Sequence, residues 1–191
     1  MARLRTFLAV PLNKAVRDRL VSLQERLAGL GVDVKWVEPD NLHVTLLFLG
    51  EVGEREVMPI CLAAADVGRT HAAFSLSVEA VGCFPNIHRP RVVWVGVGEG
   101  ATEVGALHDA LEPPLLELGC YRREERHFTP HITLGRVKAE RTGAEITAAL
   151  AKVVNWRAGE VRVTEFHVLS SELTSKGPTY TVLSRVPLSG A

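Results

Sequence analysis

Two stretches decide how this chain is read: LHVTLLFLG at positions 42–50 and FTPHITLGR at 128–136, which share the kernel His-x-Thr-Leu. Side chains alternate across a β-strand. His43 and Thr45 are therefore expected on one face and Val44 and Leu46 on the other. His131 and Thr133 stand in the same way against Ile132 and Leu134. Each copy sets an imidazole and a hydroxyl roughly 6.6 Å apart along a strand whose apolar back anchors it in a core. The 191 residues contain 7 His and 12 Thr, so His-x-Thr is expected by chance about 0.4 times. Requiring an apolar middle residue and a following Leu lowers that to roughly 0.03, and the chain has two copies.

Working outward, a shift of 88 residues superimposes the two motifs without a gap, His43 on His131, Thr45 on Thr133 and Leu46 on Leu134. The same shift brings Val16 onto Val104, Leu23 onto Leu111, Leu27 onto Leu115, Leu30 onto Leu118, Gly31 onto Gly119, Leu62 onto Leu150 and Pro90 onto Pro178. Solenoid repeats run about 20–50 residues, so this is not one of them. It reads as a duplicated strand–helix–strand unit within one bilobal domain over residues 1–191. Approximate two-fold symmetry would turn the two polar faces toward each other across a cleft.

The element pattern agrees. Residues 4–10 read as a strand closed by Pro11, and Asn13 as the cap of a helix to roughly Gly29 with Gly31 as its stop. Strands follow at 33–37 and 42–49 around the turn EPDN, then a helix at 54–67 and strands at 74–81 and 91–97. A helix at about 102–118, a strand at HITLGRV, a short helix near 143–153 and strands at 160–170 and 179–187 complete the chain. The expectation is an α+β fold of two pseudo-symmetric lobes, mainly antiparallel sheets lining a central cleft with helices outside.

Composition limits the function classes. Hydrophobic residues make up 47% and charged residues 23%, enough apolar material to exclude disorder as the main state. Twenty-two basic residues balance 22 acidic ones. A neutral chain lacks the positive field of a protein that coats duplex DNA, yet a local phosphate site needs only a few donors. Cys61, Cys83 and Cys120 are an odd number without zinc-ligand spacing, which suggests reduced thiols in the cytoplasm. No apolar run reaches the roughly 18 residues of a membrane helix, so no membrane partner is expected.

The paired HxTx motifs resemble the signature of the two-histidine phosphoesterase superfamily. Further segments make the chain most similar to the RNA 2′,3′-cyclic phosphodiesterases, also called 2′-5′ RNA ligases. These are RTFLAV at 5–10, CFP at 83–85, RVVWVGV at 91–97 and LSSELTSKGPTYTVL at 169–183. The resemblance implies metal-independent hydrolysis of an RNA 2′,3′-cyclic phosphate end to a 2′-phosphomonoester, with no cofactor. It implies His43 as proton donor to the leaving 3′-oxygen and His131 as proton acceptor from water. Thr45 and Thr133 would hold the non-bridging oxygens, and Arg136 would reach the phosphate. Run in reverse, the same site joins 2′-5′ RNA ends. The partner expected is an RNA or oligonucleotide with a cyclic phosphate end, bound by a monomer.

Strict alternation sets Arg136 opposite His131, so a bend at Gly135 is required for it to share the site; otherwise Arg136 is a surface residue. Tyr180 and Phe84 can stack on a base or fill the core. His71, His88, His108, His127 and His167 lie outside the motifs, the first three being explained by helix-surface or loop positions, while His127, in the charged stretch RREERH, either flanks the cleft or is simply solvated. Three rivals remain: a metal-dependent hydrolase, which the absence of HxH and HExxH spacings disfavours; a non-catalytic RNA- or nucleotide-binding module; and the same chemistry on 2′-5′ oligonucleotides or ADP-ribose cyclic phosphate.

Overall fold

The structure, a computed structural model, describes residues 3–123, 127–138, 143–175 and 177–190. In chain order the elements are β1 (Arg3–Pro11), α1 (Lys14–Ala28), β2 (Val34–Trp36), β3 (His43–Gly53), α2 (Val57–Thr70), β4 (Phe74–Phe84) and β5 (Val92–Val97). Then come α3 (Ala101–Glu117), β6 (His131–Val137), α4 (Gly143–Ala151), β7 (Arg157–Val163), β8 (Glu165–Thr174) and β9 (Gly177–Pro187). The fold is α+β, as expected, with a curled antiparallel sheet.

All the strands belong to one sheet, in the order β7-β4-β5-β6-β3-β1-β8-β9, with β2 added on β6. The β6–β3 junction divides this path into two halves of four strands, β3, β1, β8 and β9 on one side and β6, β5, β4 and β7 on the other. The halves meet through a single recorded pair, Val44 opposite Ile132. Beyond it β3 leaves β6, and β2 takes over that edge by pairing Val34, Lys35 and Trp36 with Val137, Arg136 and Gly135. A sheet that splits at its centre opens a cleft on its polar face. The two motifs thus share a face on neighbouring strands; they do not oppose one another from separate sheets.

Most expected elements are found, and the differences are instructive. Asn13 caps α1, its side-chain oxygen accepting from the Val16 amide at 2.9 Å. The helix ends at Ala28, so Leu30 lies beyond it and is exposed, while Gln24 takes a buried place. The single strand expected at 160–170 is two strands, separated at Thr164: β7 pairs with β4 in one half and β8 with β1 in the other. Alternation alone cannot reveal this, because both pieces keep the same period. The 88-residue shift also does not carry through the first strand. Val10 pairs with Val44 as Val95 pairs with Ile132, which brings Val95 onto Val10 at a shift of 85. Leu62 and Leu150 differ too, the first exposed and the second buried. By contrast Gly31 and Gly119, at the ends of α1 and α3, both take left-handed backbone, which glycine adopts without steric cost.

The helices cover the apolar face. Val16, Leu20, Leu23 and Leu27 of α1 are buried, as are Val104, Leu107, Leu111 and Leu115 of α3. Each crosses to the half it does not follow: α1 contacts β7, and α3 contacts β3. Gln24 secures this arrangement. Its amide donates both hydrogens, to the Val37 and Leu134 carbonyls, each at 2.9 Å. Those carbonyls lie where β2 joins β6, next to the residues that bear the candidate site. Replacing Gln24 with Leu removes both bonds; the buried Leu134 carbonyl keeps the Val37 amide as a donor and the half-buried Val37 carbonyl loses this one, a cost of about 1 kcal/mol. Urea unfolding of Gln24→Leu is expected to show that loss; an unchanged midpoint would mean the bonds do not hold the junction.

Candidate active site

Along β3 and β6 burial alternates as the motifs require. Val44, Leu46, Ile132 and Leu134 are fully buried, and His43, Thr45, His131 and Thr133 are half-buried on the opposite face. Extending the antiparallel register from the Val44–Ile132 pair sets His43 across from Thr133 and Thr45 across from His131. The imidazoles therefore occupy one diagonal of a four-residue square and the hydroxyls the other. Diagonal neighbours in such a ladder are roughly 7–8 Å apart at Cα, a span that one phosphate group can bridge through ring nitrogens.

Each ring is oriented by the same device. His43 Nδ1 lies 2.7 Å from the Asn41 carbonyl and His131 Nδ1 2.7 Å from the Thr129 carbonyl. A carbonyl only accepts, so each Nδ1 carries the hydrogen and each Nε2 is left bare in the neutral ring. His43 Nε2 then accepts from the Thr45 hydroxyl at 3.0 Å. Aromatic rings surround both imidazoles. Phe7 and Tyr180 lie 5.1 and 5.6 Å from His43, and Phe84 and Trp94 lie 4.9 and 6.4 Å from His131, centroid to centroid. Tyr180 and Phe84 are thus walls of the site. Burial disfavours the charged ring. It pushes His43 down to about 4, with the neighbouring His131 lowering it further and the Asn41 carbonyl opposing. His131 is also lowered by burial, against the Thr129 carbonyl.

Arg136 reaches this face through a bulge. Opposite β5, Val93 pairs with Gly135 and Trp94 with Thr133, which leaves Leu134 as the extra residue. Alternation is reset there, one residue before the bend expected at Gly135. Arg136 lines the same cavity as His43, Thr45 and Thr133. Gly135 has a different task. A Cβ there would come within 2.9 Å of the Lys35 carbonyl, so the glycine permits β2 to approach. A matching bulge occurs on β3, where Leu47 pairs with Leu8 and Thr45 with Ala9, leaving Leu46 extra. It brings Phe48 into the cleft at the position corresponding to Arg136.

The cavity is about 480 Å³ and is lopsided. It extends from His43, Thr45 and Thr133 over β1, β2 and the β8–β9 hairpin, taking in Arg5, Lys35, Phe48, Ser171 and Tyr180. No residue of β4 or β5 lines it. Arg5, Lys35 and Phe48 were not evident from the sequence. The first two lie on strands whose neighbours only the topology reveals, although the 88-residue shift does relate Phe48 to Arg136. The remaining histidines lie elsewhere. His71 bonds the Val67 carbonyl, His108 stacks on Phe128 at 4.0 Å, and His127 is exposed. His167 is buried 2.7 Å from Glu165, which Arg185 also holds. Among the described residues no group of three His, Cys, Asp or Glu side chains is assembled to hold a metal ion, and no helix is long and apolar enough to cross a membrane.

Comparison with known proteins bears out the resemblance seen in the motifs. The family model of the LigT like phosphoesterases matches twice, at residues 10–94 and 95–180. A protein of Archaeoglobus fulgidus named RNA 2′,3′-cyclic phosphodiesterase is 40% identical over 177 residues, covering 93% of this chain and 96% of its own. One of the same name from Methanothermobacter thermautotrophicus is 38% identical over 179 residues, covering 94% and 96%. Among solved structures, a Thermus thermophilus protein matches with a TM-score of 0.81 at 34% identity over 97% of this chain and 98% of its own. E. coli LigT in complex with 3′-AMP matches with a TM-score of 0.78 at 27% identity over 98% and 99%. With both copies of the motif inside the matched segments, the chain belongs to the LigT like phosphoesterase family.

Proposed function

We propose that this phosphoesterase opens the 2′,3′-cyclic phosphate at an RNA end by attack of water, leaving a 2′-phosphomonoester. The observation that carries the reading is the diagonal pair of imidazoles, each with Nδ1–H tied to a carbonyl and Nε2 left bare; His43 lines the cavity and His131 stands just outside its lining, next to Thr133 on the same strand face. In-line displacement needs a base on one side of phosphorus and an acid on the other. His131 Nε2 takes the proton of the attacking water while the new P–O bond forms. The P–O3′ bond breaks opposite it, and His43 Nε2 hands its proton to O3′. The relatives named above carry the same activity in their names.

The lopsided cavity supports this division of labour. Nucleoside and chain need room, and the room lies on the His43 side, so the ribose oxygen that departs is His43's neighbour and the water is His131's. His43 must then be charged although burial favours its neutral form. A bound phosphate anion supplies the compensating charge. Protonation of Nε2 also ends its acceptance from Thr45, whose hydroxyl is released to donate to a non-bridging oxygen, as Thr133 does from the opposite corner. Arg136 adds a permanent charge to the same oxygens. With a 5′-hydroxyl in place of water, the same displacement breaks P–O3′, protonates O3′ and forms a 2′-5′ linkage. We read the 88-residue correspondence as a duplication, which the double family match supports. The three free thiols, Cys61, Cys83 and Cys120, fit a cytoplasmic enzyme, and a monomer suffices because both histidines come from one chain.

Wild-type protein in EDTA is expected to convert a cyclic-phosphate-ended oligonucleotide to the 2′-phosphate. His43→Ala and His131→Ala should each lose about 10²–10⁴-fold in kcat while keeping the circular dichroism of the folded protein. Modest loss of binding with no turnover in any form would favour a binding module, and a 3′-phosphate product would reverse the two roles. The pH dependence has a definite sign. With both rings held below the ordinary value of about 6.5, the productive state, His43 charged and His131 neutral, thins as protons become scarce. kcat/KM should fall about tenfold per unit above pH 7. The limb of kcat should lie at higher pH, since bound anion stabilises the imidazolium. A kcat/KM that rises through pH 8 would contradict this assignment.

A further inference from the structure

The cleft holds more positive charge than the terminal phosphate can use. Lys35 and Arg136 are direct partners in the β2–β6 ladder and line the cleft together. Like charges opposite one another in a ladder are destabilising. Neither forms an ion pair among the described residues, and neither does Arg5 on the far wall. A cyclic phosphate end carries one negative charge, whereas these three cations face a cleft lined, among the described residues, by one carboxylate, Glu38. The surplus calls for further anions on the ligand.

Phe48 supplies the second observation. At the place where one half of the sheet puts Arg136, the other puts an aromatic ring that is 40% exposed. The Arg5 guanidinium lies over it, 4.8 Å from the centroid. A ring left open to water on one side and backed by a cation is a surface on which a nucleobase stacks, and such stacking is sequence-tolerant because every base has a π-face. Along β1, Arg5 stands four residues from Ala9, which pairs with Thr45. That is roughly 13 Å from the catalytic row, farther than the terminal phosphate itself extends.

Resting on the activity proposed above, we infer that Phe48 and Arg5 form an upstream subsite, where Phe48 stacks a base on the 5′ side of the cyclic end and Arg5 holds a backbone phosphate. The enzyme is therefore built for oligonucleotides, and a cyclic mononucleotide is a poor substrate. The test compares a uridine 2′,3′-cyclic mononucleotide with a cyclic-ended trinucleotide on wild type, Phe48→Ala and Arg5→Gln. Wild type is expected to favour the trinucleotide at least tenfold in kcat/KM, mainly through KM. Each variant should lose at least tenfold more on the trinucleotide than on the mononucleotide. Arg5→Gln should also lower the slope of log(kcat/KM) against log salt for the trinucleotide by about 0.7, the worth of one single-strand phosphate contact. Equal efficiency on both substrates, or equal losses in the variants, would overturn the subsite and leave the activity standing. Hydrolysis of neither substrate would overturn both.

Discussion

The pairing of Val44 with Ile132 is the contact on which the site depends. At most strand junctions a ladder runs for several residues and its polar face is a flat row. Here β3 and β6 meet at one recorded pair and then part, with β2 occupying the edge that β3 leaves. Two results follow from that geometry. The four motif side chains converge into a square, because they flank the one point where the strands touch. The sheet also opens directly beside the square, so substrate can reach it. A longer ladder would seal the cleft, and no pairing would let the histidines drift apart. Apolar packing secures the point: Val44 and Ile132 are completely buried, and Gln24 ties α1 to the adjacent carbonyls.

In the proposed reaction, electrostatics makes an acid–base pair of this square. Burial keeps both rings neutral in the free protein, which avoids the repulsion of two imidazolium ions at close range. Orientation is already set, because each Nδ1–H is held by a main-chain carbonyl two residues upstream. In the proposed mechanism one ring takes up a proton that an anionic ligand would stabilise, so the substrate would complete a frame that is already oriented. The symmetry of the scaffold gives two equivalent histidines; the bulges at Leu46 and Leu134, delivering Phe48 on one side and Arg136 on the other, make them unequal.

Much of this was legible in the chain. The alternation around His43 and His131 set the faces correctly, and the two copies of the motif lie on neighbouring strands of one sheet. Arg136 needed a departure from alternation, and the departure is there, at Leu134. Other features depend on which strands become neighbours, and local pattern carries no such information. The break at Thr164 separates two strands of the same period, and only their different partners show it. Arg5 and Lys35 are ordinary basic residues until β1 lies beside β3 and β2 beside β6. The motifs and main helices correspond at 88 residues and the first strand at 85, because Val10 lies 34 residues before Val44 and Val95 lies 37 before Ile132.

The central claim is that both imidazoles address one phosphate. Nitrogen NMR of His43 and His131 during titration with a nucleoside 2′-monophosphate, the terminal group of the product, tests it directly. The Nε2 resonances of both rings are expected to move together along a single binding curve, with Nδ1 of each remaining protonated throughout. Movement of one ring alone, or of the two on separate curves, would contradict it.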